Sequence, residues 1–292
     1  GRGRVCVFNP SLTHEMLERC ALENELRHAW ASDSFELLYQ PIFDARSRHV
    51  TGAEALLRWN SPTRGEVPPD VFVPIAEELG LITAIGQSVL ERACTTAASW
   101  PDDLSVSVNV SPVQIMSGRF VRDVEDALAQ SGLARHRLKI EITENSLLCE
   151  NEIVLRTLQE LRALGLGVSL DDFGKGYSSL GYLHRFPIDR IKIDRSFIAR
   201  LPEDPSSALI VRTICQLGES LGIEVTAEGI ENLAQASFVA GHGCTHMQGF
   251  LLSKPLDTDT AKRAFLAHSQ APTGPDLTGT EAARTRSAKH MR

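Results

Sequence analysis

The sequence predicts an α/β fold, a TIM-like (β/α)8 barrel whose first strand runs antiparallel as part of a hairpin. Three observations support this prediction. Eight β-rich runs follow Ser34, helix-length segments separate most of them, and the chain of 292 residues is long enough for a barrel of about 250 residues. An open doubly wound sheet is the alternative that the same pattern allows.

Two kinds of segment separate the eight runs. Residues 72–98 and 155–164 are long enough for the helical crossover that two parallel strands require. Only a few residues around 45–47 separate the first run from the second, which predicts an antiparallel hairpin. In chain order the runs are FELLYQPIF, HVTGAEALLRW, LSVSVNVS, RLKIEIT, GVSLDDF, RIKIDRSF, GIEVTAE and THMQGFLLS.

A segment at each end flanks the predicted barrel. The chain begins with GRGRVCVFNP, a short β-like run, and continues with apolar residues at roughly helical spacing over residues 11–31. Past residue 267 the sequence is rich in Pro, Gly, Thr and Arg without apolar periodicity. We therefore expect a connector over residues 1–22, the barrel over 23–267 and a disordered tail over 268–292.

Composition excludes several classes of protein. A net charge of −7 argues against the broad basic surface with which proteins bind DNA or RNA polymers. The six cysteines are scattered without CxxC pairs, which is typical of reduced thiols, and we expect a cytoplasmic domain. No apolar run reaches the length of about 18 residues that suggests a membrane span. Because the chain starts at Gly1 rather than Met, we expect a longer parent protein, which could itself be membrane-anchored.

Polar and ionisable residues stand at or near the carboxyl ends of nearly all the predicted strands, and in a barrel enzyme this face carries the catalytic groups. A carboxylate in an apolar strand is costly to bury unless it is paired or binds a metal. Oxygen ligands from Asp, Glu and Asn favour hard divalent cations such as Mg²⁺ or Mn²⁺. The residues concerned are Glu54, Asn109, Glu141, Glu144, Asp171, Asp172, Lys192, Asp194, Glu228 and Gln248.

A family resemblance rests on seven motifs in a fixed order: GAEALLRW, VNVSP, EITE, DDFGKGYSSL, PIDRIKIDRSF, AEGIE and QGFLLSKPL. Together they resemble the EAL-domain cyclic di-GMP phosphodiesterases across residues 23–267. The resemblance implies hydrolysis of cyclic di-GMP to linear 5′-pGpG with two Mg²⁺ or Mn²⁺ ions, which lowers the level of this second messenger. It also implies a GGDEF domain that precedes the connector, and a homodimer formed through the loop after Asp172.

The resemblance further assigns roles to single residues. The metal ligands that it implies are Glu54, Asn109, Glu141, Asp171, Asp172 and Glu228. The residues that it implicates in catalysis are Lys192, which holds the attacking water, Glu228, which assists as base, and the ligands Glu54 and Asp171. The substrate contacts that it implies are Gln40, Arg58, Asp194 and Gln248. Glu144 resembles the glutamate that anchors the loop DDFGKGYSSL.

Other functions share these features in part. A non-catalytic cyclic di-GMP sensor or a regulatory scaffold would have the same fold, although such receptors usually lack one or more metal carboxylates, and here none is missing. The stretch with His242, Cys244 and His246 offers soft ligands for zinc. We do not adopt the zinc interpretation, because a glycine-cysteine pair is common at this place in the family.

Overall fold

The computed structural model describes residues 10–148, 152–174, 183 and 185–269. Its strands are β1 (Phe35–Asp44), β2 (Val50–Ser61), β3 (Gly65–Val67), β4 (Ser105–Asn109), β5 (Leu138–Thr143), β6 (Gly167–Phe173), β7 (Arg190–Ile193), β8 (Glu224–Ala227) and β9 (His246–Met247). Its helices are α1 (Pro10–Ala31), α2 (Pro69–Glu78), α3 (Ile82–Ala97), α4 (Pro112–Met116), α5 (Phe120–Ser131), α6 (Glu144–Leu148), α7 (Glu152–Ala163), α8 (Arg195–Ile198), α9 (Pro205–Leu221), α10 (Leu233–Gly241) and α11 (Thr258–Ser269).

Eight strands close into a barrel, and β3 lies outside it, paired with β2. Around the barrel the order is β1, β2, β4, β5, β6, β7, β8 and β9, and β9 pairs back to β1. β1 is antiparallel to both of its neighbours, whereas the other barrel pairs are parallel. The predicted barrel with its antiparallel first hairpin is therefore confirmed, and the open doubly wound sheet is wrong.

The barrel strands alternate between apolar residues on their outer side and polar residues that face the barrel axis. In β7, the buried Ile191 and Ile193 flank Lys192, and in β5 the buried Ile140 precedes Glu141. Successive side chains of a strand point to opposite faces, so the isoleucines pack towards the surrounding helices while the charged residues enter the barrel. This alternation places the ionisable groups of different strands in one interior.

Helix α1 packs against the end of the first hairpin that is remote from its turn at residues 45–47. Leu26 is fully buried, and Glu25 of the same helix contacts Arg64 at 3.1 Å in the turn between β2 and β3. The Ser61 hydroxyl donates a hydrogen bond to the Glu25 carboxylate at 2.9 Å. The predicted helix over residues 11–31 is confirmed, and it continues without a break through the expected connector boundary at residue 22.

Local signals set the bounds of α9. Pro205 is its first residue, and the side chain of Asp204 accepts a hydrogen bond from the backbone amide of Ser207 at 2.8 Å. Gly222 ends the helix in the left-handed conformation with φ of 67°, which glycine adopts at little cost.

Both ends of the chain are described only in part. Three predicted segments lie in part outside the described residues: residues 1–9 of the β-like run, residues 175–182 of the loop after Asp172, and residues 270–292 of the expected tail. α11 extends two residues past the expected barrel end at 267. Among the described helices, none combines the length and the apolar character that crossing a membrane requires.

Candidate active site

Four carboxylates from different strands meet one lysine at the carboxyl end of the barrel. Lys192 on β7 is fully buried, and its ammonium lies within ion-pair distance of all four. From Nζ the distances are 2.5 Å to Glu141 Oε2, 2.7 Å to Glu228 Oε1, 3.1 Å to Glu54 Oε2 and 3.4 Å to Asp171 Oδ2. The sequence prediction that these side chains occupy one face thus agrees with the structure.

The charge on Lys192 is fixed by its surroundings. Burial alone would lower the pKa of this ammonium, because it removes the charge from water. The four carboxylates more than offset that effect and hold the pKa of Lys192 well above its ordinary value. Lys192 is therefore a permanent cation and a hydrogen-bond donor near neutral pH.

The carboxylates respond in different ways to the same burial. Burial, with Glu54 and Asp171 nearby, raises the pKa of Glu141 to about 7 despite the charge of Lys192. Burial also raises the pKa of Asp171, and it raises the pKa of Glu228 well above its usual range. For Glu54, burial is outweighed by Lys192 and by hydrogen bonds, and its pKa is lowered. Several carboxylates here thus lack enough positive charge to ionise together.

This shortage of positive charge fits a divalent cation. Oxygen atoms of Glu54, Glu141 and Asp171 lie within 4.8 Å of one another, and no other group of three potential metal ligands occurs among the described residues. Glu141 Oε1 is buried and has no hydrogen-bond partner in the described part of the chain. An unpaired buried carboxylate oxygen is costly, whereas an ion such as Mg²⁺ or Mn²⁺ takes oxygen ligands of this kind.

Amide side chains orient Glu54. Asn109 Nδ2, at the end of β4, donates to Glu54 Oε1 at 2.6 Å. Gln248 Nε2 donates to Glu54 Oε2 at 3.0 Å and also reaches Gln40 Oε1 at 3.2 Å. Gln40 in turn donates to the backbone carbonyl of Ser253 at 3.3 Å. Glu54 is therefore held by two donors besides Lys192. The charge of Lys192 and, to a smaller extent, these hydrogen bonds lower the pKa of the Glu54 carboxyl.

Asp172, near the end of β6, and Glu144, the first residue of α6, contact the cluster and the start of the loop after β6, respectively. Asp172 has a φ of 56°, rare for a residue other than glycine, and its backbone amide donates to Asp171 Oδ1 at 2.8 Å. Glu144 Oε2 accepts a hydrogen bond from the backbone amide of Gly174 at 3.2 Å. Glu144 thus holds the first residue after β6 by one hydrogen bond. Its role as the loop anchor stays a prediction.

Arg58 and Asp194 each contact a group outside the cluster. Arg58 is four residues beyond Glu54 on β2, about 13 Å farther along the strand, and its guanidinium contacts Glu66 of β3 at 3.6 Å. Asp194 accepts a hydrogen bond from the backbone amide of Ser196 at 2.9 Å and thereby caps α8. Their substrate contacts stay predictions.

Sequence reasoning missed a layer of small hydroxyl side chains in the barrel interior. Ser107, Ser169 and Thr226 are buried, and their hydroxyls have no hydrogen-bond partner in the described part of the chain. Ser107 pairs with Glu54 and Thr226 with Lys192 across neighbouring strands, so these hydroxyls line the same interior as the cluster. Their alternation with buried Val106 and Val225 was the available signal.

The three side chains considered as zinc ligands contact different partners. His242 is exposed and stacks on Phe238, and the sulfur of Cys244 lies against that of Cys215. His246 Nε2 lies 3.3 Å from a guanidinium nitrogen of Arg190. These three side chains do not converge, which agrees with our rejection of a zinc site.

Comparison with known proteins finds a matching family and similar relatives. The sequence profile described as EAL domain matches residues 23–255. The bifunctional diguanylate cyclase/cyclic di-GMP phosphodiesterase MucR of Pseudomonas aeruginosa is 40% identical over 263 residues, 89% of this chain and 38% of MucR. The cyclic di-GMP phosphodiesterase PdeR of Escherichia coli is 38% identical over 268 residues, 91% of this chain and 40% of PdeR.

A solved structure of the Pseudomonas aeruginosa MucR phosphodiesterase in complex with c-di-GMP is similar to this chain. It matches with a TM-score of 0.79 and 40% identity, over 82% of this chain and 99% of that one. The chain spans less than half the length of the full MucR and PdeR sequences. The likeness therefore concerns one part of each relative.

Proposed function

We propose that this chain, which belongs to the EAL domain family, hydrolyses cyclic di-GMP to linear 5′-pGpG in a reaction that depends on Mg²⁺ or Mn²⁺. One observation carries the proposal: Glu54, Glu141 and Asp171 bring carboxylate oxygens within 4.8 Å of one another at the catalytic end of a barrel. MucR and PdeR, which are cyclic di-GMP phosphodiesterases, support cyclic di-GMP as the substrate.

The donor set supports two ions. Glu54, Asn109, Glu141 and Asp171 would hold the first, and Asp171, Asp172 and Glu228 the second, with Asp171 shared. The raised pKa values of Glu141, Asp171 and Glu228 support this arrangement, because bound cations would let these buried carboxylates ionise. When bound, such ions polarise phosphoryl oxygens and lower the pKa of a water molecule near the phosphorus.

Lys192 and Glu228 supply the proton chemistry. The Lys192 ammonium stays charged, so it donates hydrogen bonds to the attacking water and directs a lone pair of its oxygen towards phosphorus. Glu228 Oε1 lies 2.7 Å from that ammonium and accepts the proton that the water loses. Attack in line with one ester bond breaks the bond between phosphorus and the ribose 3′-oxygen, which takes up a proton from solvent. The phosphate stays on the 5′-oxygen, and the product is linear.

Polar side chains around the cluster would bind the substrate. Gln40 and Gln248 form a hydrogen-bonded pair beside Glu54, and they offer amide groups to the dinucleotide. Arg58 contacts a largely exposed Glu66, a weak surface pair that a phosphate oxygen can replace. Asp194 follows the strand that carries Lys192. We also include in the proposal a preceding GGDEF domain and a homodimer formed through the loop after Asp172.

Product chromatography tests the proposal directly. Purified protein is incubated with cyclic di-GMP and Mn²⁺ or Mg²⁺, and parallel samples contain EDTA or the Glu54→Gln variant. Linear pGpG should accumulate with metal. It should be absent with EDTA, which removes the metal, and with Glu54→Gln, in which a carboxamide of similar size replaces a proposed metal ligand. Tight binding of cyclic di-GMP without turnover would favour the sensor, and absence of both binding and turnover would favour the scaffold.

A further inference from the structure

Two cysteine thiols that the proposed chemistry does not use are in contact. Cys215 lies on α9, and Cys244 lies just before β9, 29 residues later in the chain. Their sulfur atoms are 3.2 Å apart, and both side chains are buried, with relative exposures of 2% and 3%. The contact joins a helix on the outside of the barrel to the segment that leads into its last strand.

The geometry of this pair suits covalent joining. A disulfide has a sulfur separation of about 2.05 Å, so the two sulfurs need to approach by little more than 1 Å. Hydrogen bonding from Cys244 outweighs burial and lowers the pKa of the Cys215 thiol, while the same contact and burial raise that of Cys244 well above its usual range. Cys215 is therefore the nucleophile of the pair and Cys244 the proton donor.

Solvent lies close to the pair although the sulfurs are buried. Cys244 stands between the exposed residues Gly243 and Thr245. A small opening of this turn would admit a molecule of the size of hydrogen peroxide. The fully buried Cys94 on α3 provides a contrast, since burial raises the pKa of its thiol to about 12.

We propose that Cys215 and Cys244 are a modification site at which a hydroperoxide forms a reversible intramolecular disulfide. The Cys215 thiolate attacks the peroxide oxygen, which yields a sulfenic acid and, after protonation, releases water. Cys244 sulfur then attacks the sulfenic sulfur and displaces hydroxide, which takes up the remaining proton as water. Two thiols and one hydrogen peroxide thus give one disulfide and two water molecules, and a dithiol reverses the change.

The disulfide has a measurable consequence for stability. It links α9 covalently to the segment before β9 and lowers the conformational entropy of the unfolded chain, which favours the folded state. Because the closed loop spans 29 residues, the melting temperature should rise by roughly 5–10 °C on oxidation. A dithiol should restore the original value.

Peptide mapping of the wild-type protein tests the site without any substrate, so its outcome is independent of the proposed hydrolysis. The protein is oxidised with hydrogen peroxide, denatured, treated with N-ethylmaleimide and digested with trypsin. One tryptic peptide, residues 213–262, contains both cysteines and no others. It should be two hydrogens lighter and carry no maleimide. After further cleavage at Glu219 and Glu228, the fragment with Cys215 and the fragment with Cys244 should separate from each other only once the sample is reduced.

Matched variants complete the test. Cys94→Ser should still form the bond and show the rise in melting temperature, whereas Cys215→Ser and Cys244→Ser should show neither. Recovery of peptide 213–262 with both cysteines alkylated after peroxide treatment would overturn the proposal, as would a disulfide to a different cysteine. The wild-type map decides the matter even if a serine variant fails to fold.

Discussion

Replacing Glu141 by glutamine should stabilise the metal-free protein and abolish its activity. The substitution keeps the size of the side chain and an oxygen that can accept from Lys192, but it removes a buried negative charge. It also converts the unpartnered Oε1 side of the carboxylate into a neutral group. The variant thus distinguishes two effects of the Glu141 charge: its cost to the stability of the metal-free protein and its proposed contribution to metal binding.

The magnitude follows from the pKa of Glu141, which burial raises to about 7 from an ordinary 4.5. A group with a raised pKa in the folded state favours folding while protonated, and stability is lost as the pH rises through the folded value. By linkage, the shifted pKa of Glu141 lowers the free energy of unfolding by about 3 kcal/mol at pH 8 and by less than about 1 kcal/mol at pH 5, compared with a side chain that stays neutral. The free energy of unfolding of Glu141→Gln should therefore be about 2–3 kcal/mol higher than that of the wild type at pH 8, and only slightly higher at pH 5.

The assay is denaturant unfolding in EDTA at both pH values, with turnover measured separately in Mn²⁺. Glu219→Gln, on an exposed face of α9, is the matched control and should leave stability unchanged at both pH values. Turnover of Glu141→Gln should fall by at least about 100-fold. A variant that is no more stable than the wild type at pH 8, or equally stabilised at both pH values, would refute the reasoning.

Three further predictions concern other polar groups of the barrel. Lys192→Met should lower the free energy of unfolding by about 3–5 kcal/mol in EDTA, because it leaves four carboxylates without a counter-charge, and denaturant unfolding measures this. Asn109→Ala should weaken Mn²⁺ binding by roughly 10–100-fold in calorimetric titration, and unchanged affinity would exclude Asn109 as a ligand. Burial and the nearby charge of Arg190 lower the pKa of His246 to about 4. The wild type should then lose roughly 2–3 kcal/mol between pH 7 and 4.5, and thermal scans of His246→Asn should lack that component.

Much of the fold was predictable because the signals that define it are local. Alternation of apolar and polar residues marks each barrel strand, and the short spacing around residues 45–47 requires an antiparallel hairpin. β3 escaped prediction because three residues, Gly65–Val67, carry too little pattern for a strand. Its pairing depends on the neighbouring β2, which sequence periodicity alone cannot reveal.

The site was predictable to the extent that strand direction determines where a side chain points. Glu54, Glu141 and Lys192 meet because parallel strands present their carboxyl ends at one face. Arg58 shows the limit, because its partner Glu66 lies on β3, a strand that the sequence pattern did not predict. Asp194 has a local role that competes with the predicted one, because it caps α8 through the amide of Ser196. The contact between Cys215 and Cys244 depends likewise on the packing of α9.

The reversed direction of β1 changes where the chain enters the barrel. In a barrel with all strands parallel, the segment before the first strand arrives at the amino end, remote from the chemistry. Here Phe35 lies opposite Trp59, so α1 joins β1 at the catalytic rim. Five residues after this entry point, Gln40 contacts Gln248, which holds Glu54. A movement of α1 can therefore reach Glu54, a proposed metal ligand, through only two side chains, Gln40 and Gln248.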